Sequence, residues 1–224
     1  MRNKTMLLAL AVASAALFAL PAFASGEEIH FDTATSFTGS GPAGNLVATG
    51  EPTISCTSTD VTNGVINAGG TTGSMTLDFT GCTAPNPFDP NHPILCKSKE
   101  APLSNTIATG GTFHLITIKS GIPGVLVTTN TTEIVCQLLG FDFVTHVTGN
   151  VIGTVTSPAC GASSKEMKLS FSATGSTQNH IEYTGTTYDL ISRTGVGGTG
   201  EPRTAGLNAT ATLTMNTAGT LTCT

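Results

Sequence analysis

Apolar and polar residues alternate along much of this chain, and the pattern is clearest near the C-terminal end. The apolar positions there are Leu207, Ala209, Ala211, Leu213 and Met215, with Thr or Asn between them. Side chains of a β-strand point alternately to its two faces, so this segment is predicted to be a strand with one face buried. Residues 217–219, Thr-Ala-Gly, are expected to turn the chain back into a closing strand that carries Leu221 and Cys223.

A shorter motif occurs twice. In residues 64–81, Gly-Val-Ile leads through a Gly/Ser/Thr turn into a strand with alternate apolar residues, and residues 150–171 repeat this order. The apolar residues are Met75, Leu77 and Phe79 in the first copy and Met167, Leu169 and Phe171 in the second. Each copy is predicted to be a β-hairpin. Either the copies mark halves of a duplicated domain, or two amphipathic strands are similar by coincidence.

Further strand candidates follow at short intervals, separated by turns rich in Gly and Pro. Residues 112–118 carry apolar residues on both faces, which indicates a strand buried on both sides. Residues 85–93 contain four prolines and are expected to form a loop, because proline cannot donate to a strand ladder. Short strands and frequent turns predict an all-β protein, either a Greek-key, immunoglobulin-like β-sandwich or a related β-barrel.

The N-terminus has the features of a secretory signal peptide. Arg2 and Lys4 precede an apolar run, and Pro21 and an Ala-Phe-Ala triplet follow it. The run has 15 residues, fewer than the roughly 20 that span a bilayer as a helix. Residues 1–24 are therefore predicted to be removed by cleavage after Ala24.

The chain that remains is predicted to have one domain. Residues 25–44 are mostly polar and are expected to form a flexible arm, in which residues 29–31 are a candidate edge strand. Residues 45–224 are expected to form a single all-β domain. No transmembrane segment is expected in the mature chain, which we place outside the cell, with the cell envelope as an alternative location.

Composition narrows the range of partners. Only 10% of the residues are charged, and loss of Arg2 and Lys4 moves the net charge from −5 to −7. A nucleic-acid partner is not expected, because binding phosphates requires clustered Lys and Arg. The polar residues are mainly threonines, 41 in number, accompanied by 26 glycines. Threonine favours strands and glycine favours turns, which supports the all-β prediction.

Six cysteines follow the signal peptide, and an even number in an exported chain predicts disulfides. They are Cys56, Cys82, Cys96, Cys136, Cys160 and Cys223. No two have the Cys-x-x-Cys spacing of a zinc site. We expect Cys82 to pair with Cys96, because this disulfide would close the Pro-rich loop, which has no regular structure to hold it.

No catalytic constellation emerges from the sequence. Residues 195–200 match Gly-x-Gly-x-x-Gly, but Glu201-Pro-Arg follows in place of a helix, so a flexible loop is expected rather than a dinucleotide site. His180 and Glu182 share a predicted strand face, where acid–base chemistry is one interpretation and an ordinary exposed face the other. The histidines are dispersed: His30, His92, His114, His146 and His180.

The sequence also gives little support for a metal site or a carbohydrate-binding site. Asn86, Asp89 and Asn91 supply oxygen atoms in the Pro-rich loop, but the spacing and terminal Glu of an EF-hand are missing. The chain has no Trp, and Tyr183 and Tyr188 are its two tyrosines, too few for a sugar-stacking platform. No catalytic residue, metal ligand or cofactor is assigned.

Four short segments are typical of one group of proteins: Cys56-Thr-Ser-Thr, Gly64-Val-Ile, Asn150-Val-Ile-Gly-Thr-Val and Leu221-Thr-Cys. In these segments the chain resembles secreted, Thr/Gly-rich all-β proteins of actinobacteria, whose function is uncharacterised. The resemblance covers most of the mature chain. It implies a bacterial origin, export and a β fold, and it carries over no catalytic residue.

The sequence leaves three functions open. The first is a secreted, non-enzymatic β-sandwich that acts as a structural or interaction module and meets a protein or cell-envelope partner. The second is a β-barrel that carries a small apolar ligand in its interior. The third is an extracellular hydrolase, which would require a cleft that brings a histidine together with a carboxylate and a Ser or Thr.

Overall fold

The computed structural model describes residues 29–99, 101, 105–118 and 121–223. The predicted signal peptide lies outside these residues. The described chain is built almost entirely of β-strands, as the alternation pattern predicts. The strands are β1 (Ile29–Phe31), β2 (Thr35–Gly41), β3 (Gly44–Ala48), β4 (Ile54–Cys56), β5 (Ser58–Ile66), β6 (Thr72–Thr80), β7 (Thr83–Ala84), β8 (Ile94–Ser98), β9 (Thr106–Ile118), β10 (Ile122–Leu138), β11 (Phe141–Ser157), β12 (Ser163–Phe171), β13 (Ala173–Thr174), β14 (Thr177–Gln178), β15 (Glu182–Tyr183), β16 (Thr186–Thr187), β17 (Leu190–Gly195) and β18 (Arg203–Cys223).

Helical structure in the described residues is limited to one 3-10 turn, Val196–Gly198. Within that part of the chain, no helix has the length and apolar character needed to cross a membrane.

Fourteen of the strands form one antiparallel sheet that closes on itself. Strands β10, β11 and β18 have 17, 17 and 21 residues and extend through both halves of the closed sheet. In the first half, pairing runs β18-β2-β5-β6-β9-β10-β11-β12 and returns to β18. In the second half, it runs β18-β3-β4-β7-β8-β10-β11-β17 and again returns to β18. Each half therefore encloses its own part of the interior.

The interior is filled by the apolar residues of the alternating pattern. In β18, Leu213 and Met215 are buried, whereas Thr214 between them is exposed. The core of the first half includes Phe37, Met75, Phe113, Leu115, Val151, Met167 and Leu213. The core of the second half includes Ile54, Cys96, Ile134, Cys136, Leu138 and Val147. Threonine therefore covers much of the outside, where its hydroxyl reaches water and its β-branched side chain favours the strand.

The segment expected to be a flexible arm, residues 25–44, is instead part of the sheet from residue 29 onward, so that expectation is wrong. Ile29 and Phe31 are buried, and β1 pairs with β18, which confirms the candidate edge strand. β2 lies between β18 and β5. The segment looks polar because only alternate residues, such as Thr35 and Phe37, point inward.

Both copies of the repeated motif form antiparallel hairpins, as predicted: β5 with β6, and β11 with β12. Met75 and Met167 lie in the same core. The copies differ at their Val-Ile pairs, because Val65 is 41% exposed and Val151 is 2% exposed. In the first copy Ile66 points into the interior, whereas in the second copy Val151 does. Duplication of the domain therefore stays a hypothesis.

Strand β9 is buried on both faces, which confirms the expectation for residues 112–118. Leu115 points into the interior core, while Ile116 packs with Ile118, Leu126 and Ile152 on the outside of the sheet. Tyr183 and Tyr188 from the β15–β16 hairpin lie against this outer cluster. The ring of His114 meets Tyr183 edge-on, with centroids 6.1 Å apart.

The turn expected at residues 217–219 does not form. β18 continues through these residues to Cys223, with a register irregularity opposite β12. Gly219 is required here by packing, because a side chain at this position would collide with the ring of Phe31. In the sequence alone, a glycine that makes room for a neighbouring ring has the same pattern as a turn glycine.

All six cysteines form disulfides, but the expected pairing of Cys82 with Cys96 is wrong. The disulfides are Cys56–Cys82, Cys96–Cys136 and Cys160–Cys223. Cys96 lies directly opposite Cys136 in the β8–β10 register. The Pro-rich loop is held instead by its own hydrogen bonds, in which the side chain of Asn86 takes part. Three disulfides are typical of proteins in oxidising compartments.

Candidate functional site

The second half of the closed sheet contains a cavity of about 140 Å³. Its walls come from seven strands of that half and from the two loops 49–53 and 85–93. Apolar side chains make up most of the lining, among them Leu46, Ala48, Ile54, Ala84, Ile94 and Leu138. We call this space the end cavity.

A second cavity of about 80 Å³ lies next to it, towards the first half of the sheet. Leu46 and Ile54 line both cavities, so the two are neighbours that share part of a wall. The inner cavity is lined further by Leu77, Phe79 and Val151. In the first half, by contrast, the core around Phe37 and Leu213 leaves a space of only about 10 Å³, at the lower limit of what one water molecule requires.

Four exposed apolar side chains belong to the same segments as residues that line the end cavity. Leu139 and Phe141 belong to the β10–β11 connection and are 77% and 73% exposed. Phe143, two residues further along β11, is about half exposed and lines the cavity. Phe88 is also exposed, and it lies in the loop whose Pro85 and Pro87 line the same cavity. We call these four exposed residues the apolar rim.

One carboxylate lies within this apolar lining. Glu51 lines the end cavity, and its side chain is only 10% exposed. Its Oε2 accepts a hydrogen bond of 2.6 Å from Ser192 Oγ. Its Oε1 is buried and has no hydrogen-bond partner among the described residues. The Nε of Arg203 is 3.8 Å from Oε1, which is an ion pair but beyond hydrogen-bond length.

Two threonine hydroxyls complete the polar part of the lining. Thr145 and Thr194 both line the end cavity, and their Oγ1 atoms are 2.8 Å apart, so the hydroxyls hydrogen-bond to each other. Their hydrogen-bonding capacity is therefore partly used within the wall. Glu51 Oε1 also has no hydrogen-bond partner in the described chain, but it is enclosed by protein atoms and is not open to the cavity.

No histidine is among the described residues that line the end cavity. His146 and Glu133 are paired at 3.4 Å between β10 and β11, and Lys99 lies 3.8 Å from the same carboxylate. Because the neighbouring Thr145 and Val147 point inward, His146 faces outward from the sheet. His180 and Glu182 form no ion pair that the described residues show, and Glu182 belongs to the two-residue strand β15.

The oxygen atoms of the Pro-rich loop are engaged within the loop itself. Asn86 Oδ1 accepts from the backbone N–H groups of Phe88 and Asp89, and Asp89 Oδ1 accepts from the N–H of Asn91. Asp89 Oδ2 is 2.6 Å from the Nδ1 of His92. Within the described residues, no three His, Cys, Asp or Glu side chains are grouped to hold a metal ion.

The Gly-rich loop at residues 195–200 forms the 3-10 turn and then leads into β18, so it is followed by a strand. Gly198 packs against the ring of His146, and Gly200 against the backbone of Thr194. Its glycines thus allow close packing on the outside of the sheet. The pyrophosphate site of this motif needs a helix after the loop.

Sequence reasoning did not single out Glu51. The residue lies between Gly50 and Pro52, which together are typical of an exposed turn, where a carboxylate is ordinary. Its burial depends on Ser192 and Arg203, which are about 140 and 150 residues away along the chain. No local pattern reports a contact of that kind.

Comparison of the chain with protein-family models, with curated proteins and with solved structures finds no match.

Proposed function

We propose that this protein is an exported, non-enzymatic binding protein that holds a small apolar molecule in its end cavity. The observation that carries the proposal is the unfilled apolar interior of one half of the closed sheet, next to a well-packed other half. Protein interiors are normally packed without such spaces, because each unfilled volume loses contacts and stability. An unfilled apolar space of this kind can hold a small apolar ligand.

The size of the cavity sets the size of the ligand. A dry apolar cavity of about 150 Å³ is large enough to bind benzene. The end cavity, at about 140 Å³, suits a molecule of that size, and movement of Leu46 or Ile54 would add the inner cavity. The apolar rim, with Phe141 and Phe143, offers an apolar path from water to this space. Binding would be driven by burial of apolar surface.

The chemistry of the lining supports binding more than catalysis. The described lining contains Glu51 and two threonines but no histidine, and the His146–Glu133 pair faces the other side of the sheet. The hydrolase alternative requires a histidine and a nucleophile in one cleft, so it receives less support from this geometry. Three disulfides and the predicted signal peptide support an extracellular setting.

Two measurements test the proposal. Native mass spectrometry of the protein secreted by its own host should reveal an added mass that disappears on denaturation. Calorimetry with benzene and toluene should detect binding to the ligand-free protein, and the midpoint of thermal unfolding should rise with ligand concentration. Absence of both an added mass and any effect of these probes would overturn the proposal.

Variants place the binding in the end cavity. Ala84→Phe adds a ring to the cavity wall, so it should abolish binding of benzene while the protein stays folded. Ala48→Leu, a smaller addition to the same wall, should weaken binding of benzene. It replaces Ala84→Phe in the experiment if that variant does not fold. Val65→Ser is the matched control, because it changes an exposed apolar residue in the first half of the sheet and should leave binding unchanged.

A second candidate function is a surface or interaction module, which the apolar rim favours. The side chains of Phe88, Leu139 and Phe141 are each more than 70% exposed. Patches of exposed apolar side chains often mark contact surfaces. Pull-down from the host cell envelope with the wild-type protein and with Phe141→Ser tests this function. A partner retained by the wild type and by Ala84→Phe, but lost with Phe141→Ser, would favour the module over the ligand carrier.

A further inference from the structure

The two cavities are arranged in line along the strands that border them. On β10, Ile134 lines the inner cavity and Leu138 lines the end cavity. On β11, which pairs with β10 in the antiparallel direction, Val147 lines the inner cavity and Phe143 lines the end cavity. Both strands therefore pass from one cavity to the other in the same direction along the closed sheet. The two cavities together form an elongated space.

Apolar side chains of the wall are open to this space. Leu46 lines both cavities, and Leu207, its neighbour across the β3–β18 ladder, lines the inner cavity. Leu77 and Phe79 on β6 also line the inner cavity. All four side chains pack against the core, yet each is only partly buried. Because they point into a closed sheet, we attribute their remaining accessible surface to the cavities.

The polar side chains of the inner cavity already take part in hydrogen bonds within the wall. Thr132 Oγ1 donates to Thr109 Oγ1 at 2.6 Å, and Thr129 Oγ1 donates to a backbone carbonyl oxygen of β11 at 3.2 Å. Asn45 Oδ1 accepts from Asn208 Nδ2 at 3.1 Å. A polar group buried without a hydrogen bond is unfavourable. The inner cavity therefore favours a part of the ligand that is purely apolar.

Neither cavity offers a counter-charge to an ionised ligand. No Lys or Arg is among the described residues that line them. The carboxylate of Glu51 is paired with Arg203, whose Nε lies 3.8 Å from Oε1, and Oε1 itself is enclosed by protein atoms. A buried charge without a partner is strongly unfavourable, so neither an anion nor a cation is expected in these cavities.

From this arrangement we infer that the ligand is an uncharged, unbranched aliphatic chain that extends from the end cavity into the inner cavity. The inference rests on the proposed function and names the class of ligand for the same site. A cavity of about 150 Å³ binds benzene, which has six carbons, so cavities of about 140 Å³ and about 80 Å³ together suit a chain of about eight to ten carbons. A slender chain can pass the shared wall at Leu46, whereas a compact ring fills the end cavity alone.

The 1-alkanols from butanol to dodecanol test the length of the ligand. In calorimetry on the wild-type protein, affinity should rise about fourfold with each added methylene until both cavities are filled. The rise should stop at about eight to ten carbons. A rise that already stops at about six carbons would mean that only the end cavity is filled, and it would overturn the inference.

Two further probes test the shape and charge of the ligand. Cyclooctanol has as many carbons as 1-octanol but is compact, so it should bind at least about tenfold more weakly because fewer of its methylenes are buried. Octanoate at about pH 7 should also bind at least about tenfold more weakly than 1-octanol, because its carboxylate is ionised. Binding of cyclooctanol or octanoate as tight as that of 1-octanol would overturn the assignment of an uncharged chain.

Variants of the inner cavity test whether the chain enters it. Leu77→Phe adds a ring to its wall, so it should abolish the preference for 1-octanol over 1-hexanol and keep benzene binding within about threefold. Leu207→Phe should have the same effect and replaces Leu77→Phe if that variant does not fold. Leu95→Phe is the matched control, because Leu95 is 54% exposed on β8 and lines neither cavity. A preference for 1-octanol that persists unchanged in both inner-cavity variants would overturn the inference.

The outcomes separate this inference from the proposed function. Binding of benzene and toluene without any gain from longer chains would overturn the inference and leave the apolar-ligand site in place. Binding of none of the probes would overturn both. Thermal unfolding of each variant without ligand shows whether a loss of binding reflects a loss of folding.

Discussion

Phe37 lies directly across the β2–β5 ladder from Gly64, and its ring occupies the space that a side chain at position 64 would need. Phe113 has the same relationship with Gly73 across the β6–β9 ladder. The two rings meet edge-on, with centroids 6.0 Å apart. The interior of the first half is thus packed by aromatic rings that lie over glycines on neighbouring strands, which explains why so glycine-rich a chain has a dense core there.

Substitution of Gly64 by alanine should destabilise the protein. The new Cβ would collide with the ring of Phe37, which has no free space to enter, so we expect a loss of about 1–3 kcal/mol in the free energy of unfolding. Urea unfolding followed by circular dichroism measures it. Gly110→Ala is the control, because a Cβ there would meet mainly the movable side chain of Asn130, 3.1 Å away.

A double variant at Phe37 and Gly64 tests whether the Phe37 ring is the cause of this loss of stability. In the double variant Phe37→Ala with Gly64→Ala, the ring that causes the collision is absent, so the two losses should not add. Additive losses would mean that the Phe37 ring is not what excludes a side chain at position 64.

Removal of the Cys160–Cys223 disulfide should cost about 4 kcal/mol, because the cross-link closes a loop between residues 63 apart in sequence. Cys223 also lies opposite Ile29 in the β1–β18 register, so β1 should loosen with it. Guanidinium unfolding of the double variant Cys160→Ala with Cys223→Ala measures the loss. The amide of Asp32, directly after β1, donates to the carbonyl oxygen of Thr220 at 3.1 Å, so its hydrogen exchange reports on this contact with β18, and unchanged protection there would contradict the second expectation.

Asp32 should make stability depend on pH in the acidic range. The backbone N–H of Thr220 donates to Asp32 Oδ1 at 2.8 Å, and together with the hydroxyl of Thr33 it lowers the pKa of this carboxyl below its ordinary 3.8. A lowered pKa means that Asp32 stabilises the fold fully above its unfolded pKa and loses this effect as pH falls through the folded pKa.

The measurement for Asp32 is a comparison of urea midpoints at about pH 6 and about pH 2. The wild-type midpoint should fall by more than that of Asp32→Asn, because the variant has no carboxyl to protonate. Equal falls in the two proteins would show that Asp32 does not contribute to the acid sensitivity.

The outer tyrosines should protect the apolar cluster on the outside of the sheet. Tyr188→Ala removes part of the cover over Ile116, Leu126 and Ile152, and we expect a loss of about 1–2 kcal/mol together with increased binding of an apolar fluorescent dye. Thr187→Ala, an exposed neighbour in the same hairpin, should change neither. Dye binding equal to that of the wild type would mean that Tyr188 does not cover the cluster.

Local patterns in the sequence were sufficient for the strands but not for their partners. The alternation around Leu213 predicts β18, and the mixed pattern around Ile116 predicts burial on both faces, because both depend only on where neighbouring side chains point. Closure of the sheet depends on contacts such as those of Ala205, which pairs with Leu190 on one side and Ala48 on the other. Pairing between residues so far apart in sequence cannot be predicted from the local pattern of apolar and polar residues.

The same distinction explains the errors in the cysteine pairing and the missed site. Cys82 and Cys96 are near in sequence and in space, since the N–H of Cys96 donates to the carbonyl oxygen of Cys82 at 3.0 Å, yet each forms its disulfide with another strand. Glu51 resembles a turn residue until Ser192 and Arg203 are placed beside it. Proximity along the chain therefore does not predict which residues are in contact when neighbouring strands of a sheet are distant in sequence.

Strand β18 pairs with β2 and β3 on one side and with β12 and β17 on the other, so it is the piece that joins the two ends of the sheet. It is also the most C-terminal strand described. During synthesis, every strand before it can emerge while the sheet still has two open edges, and open edges allow pairing with other chains. Closure of the sheet, and with it protection of its edges from aggregation, therefore waits until residues 203–223 have left the ribosome.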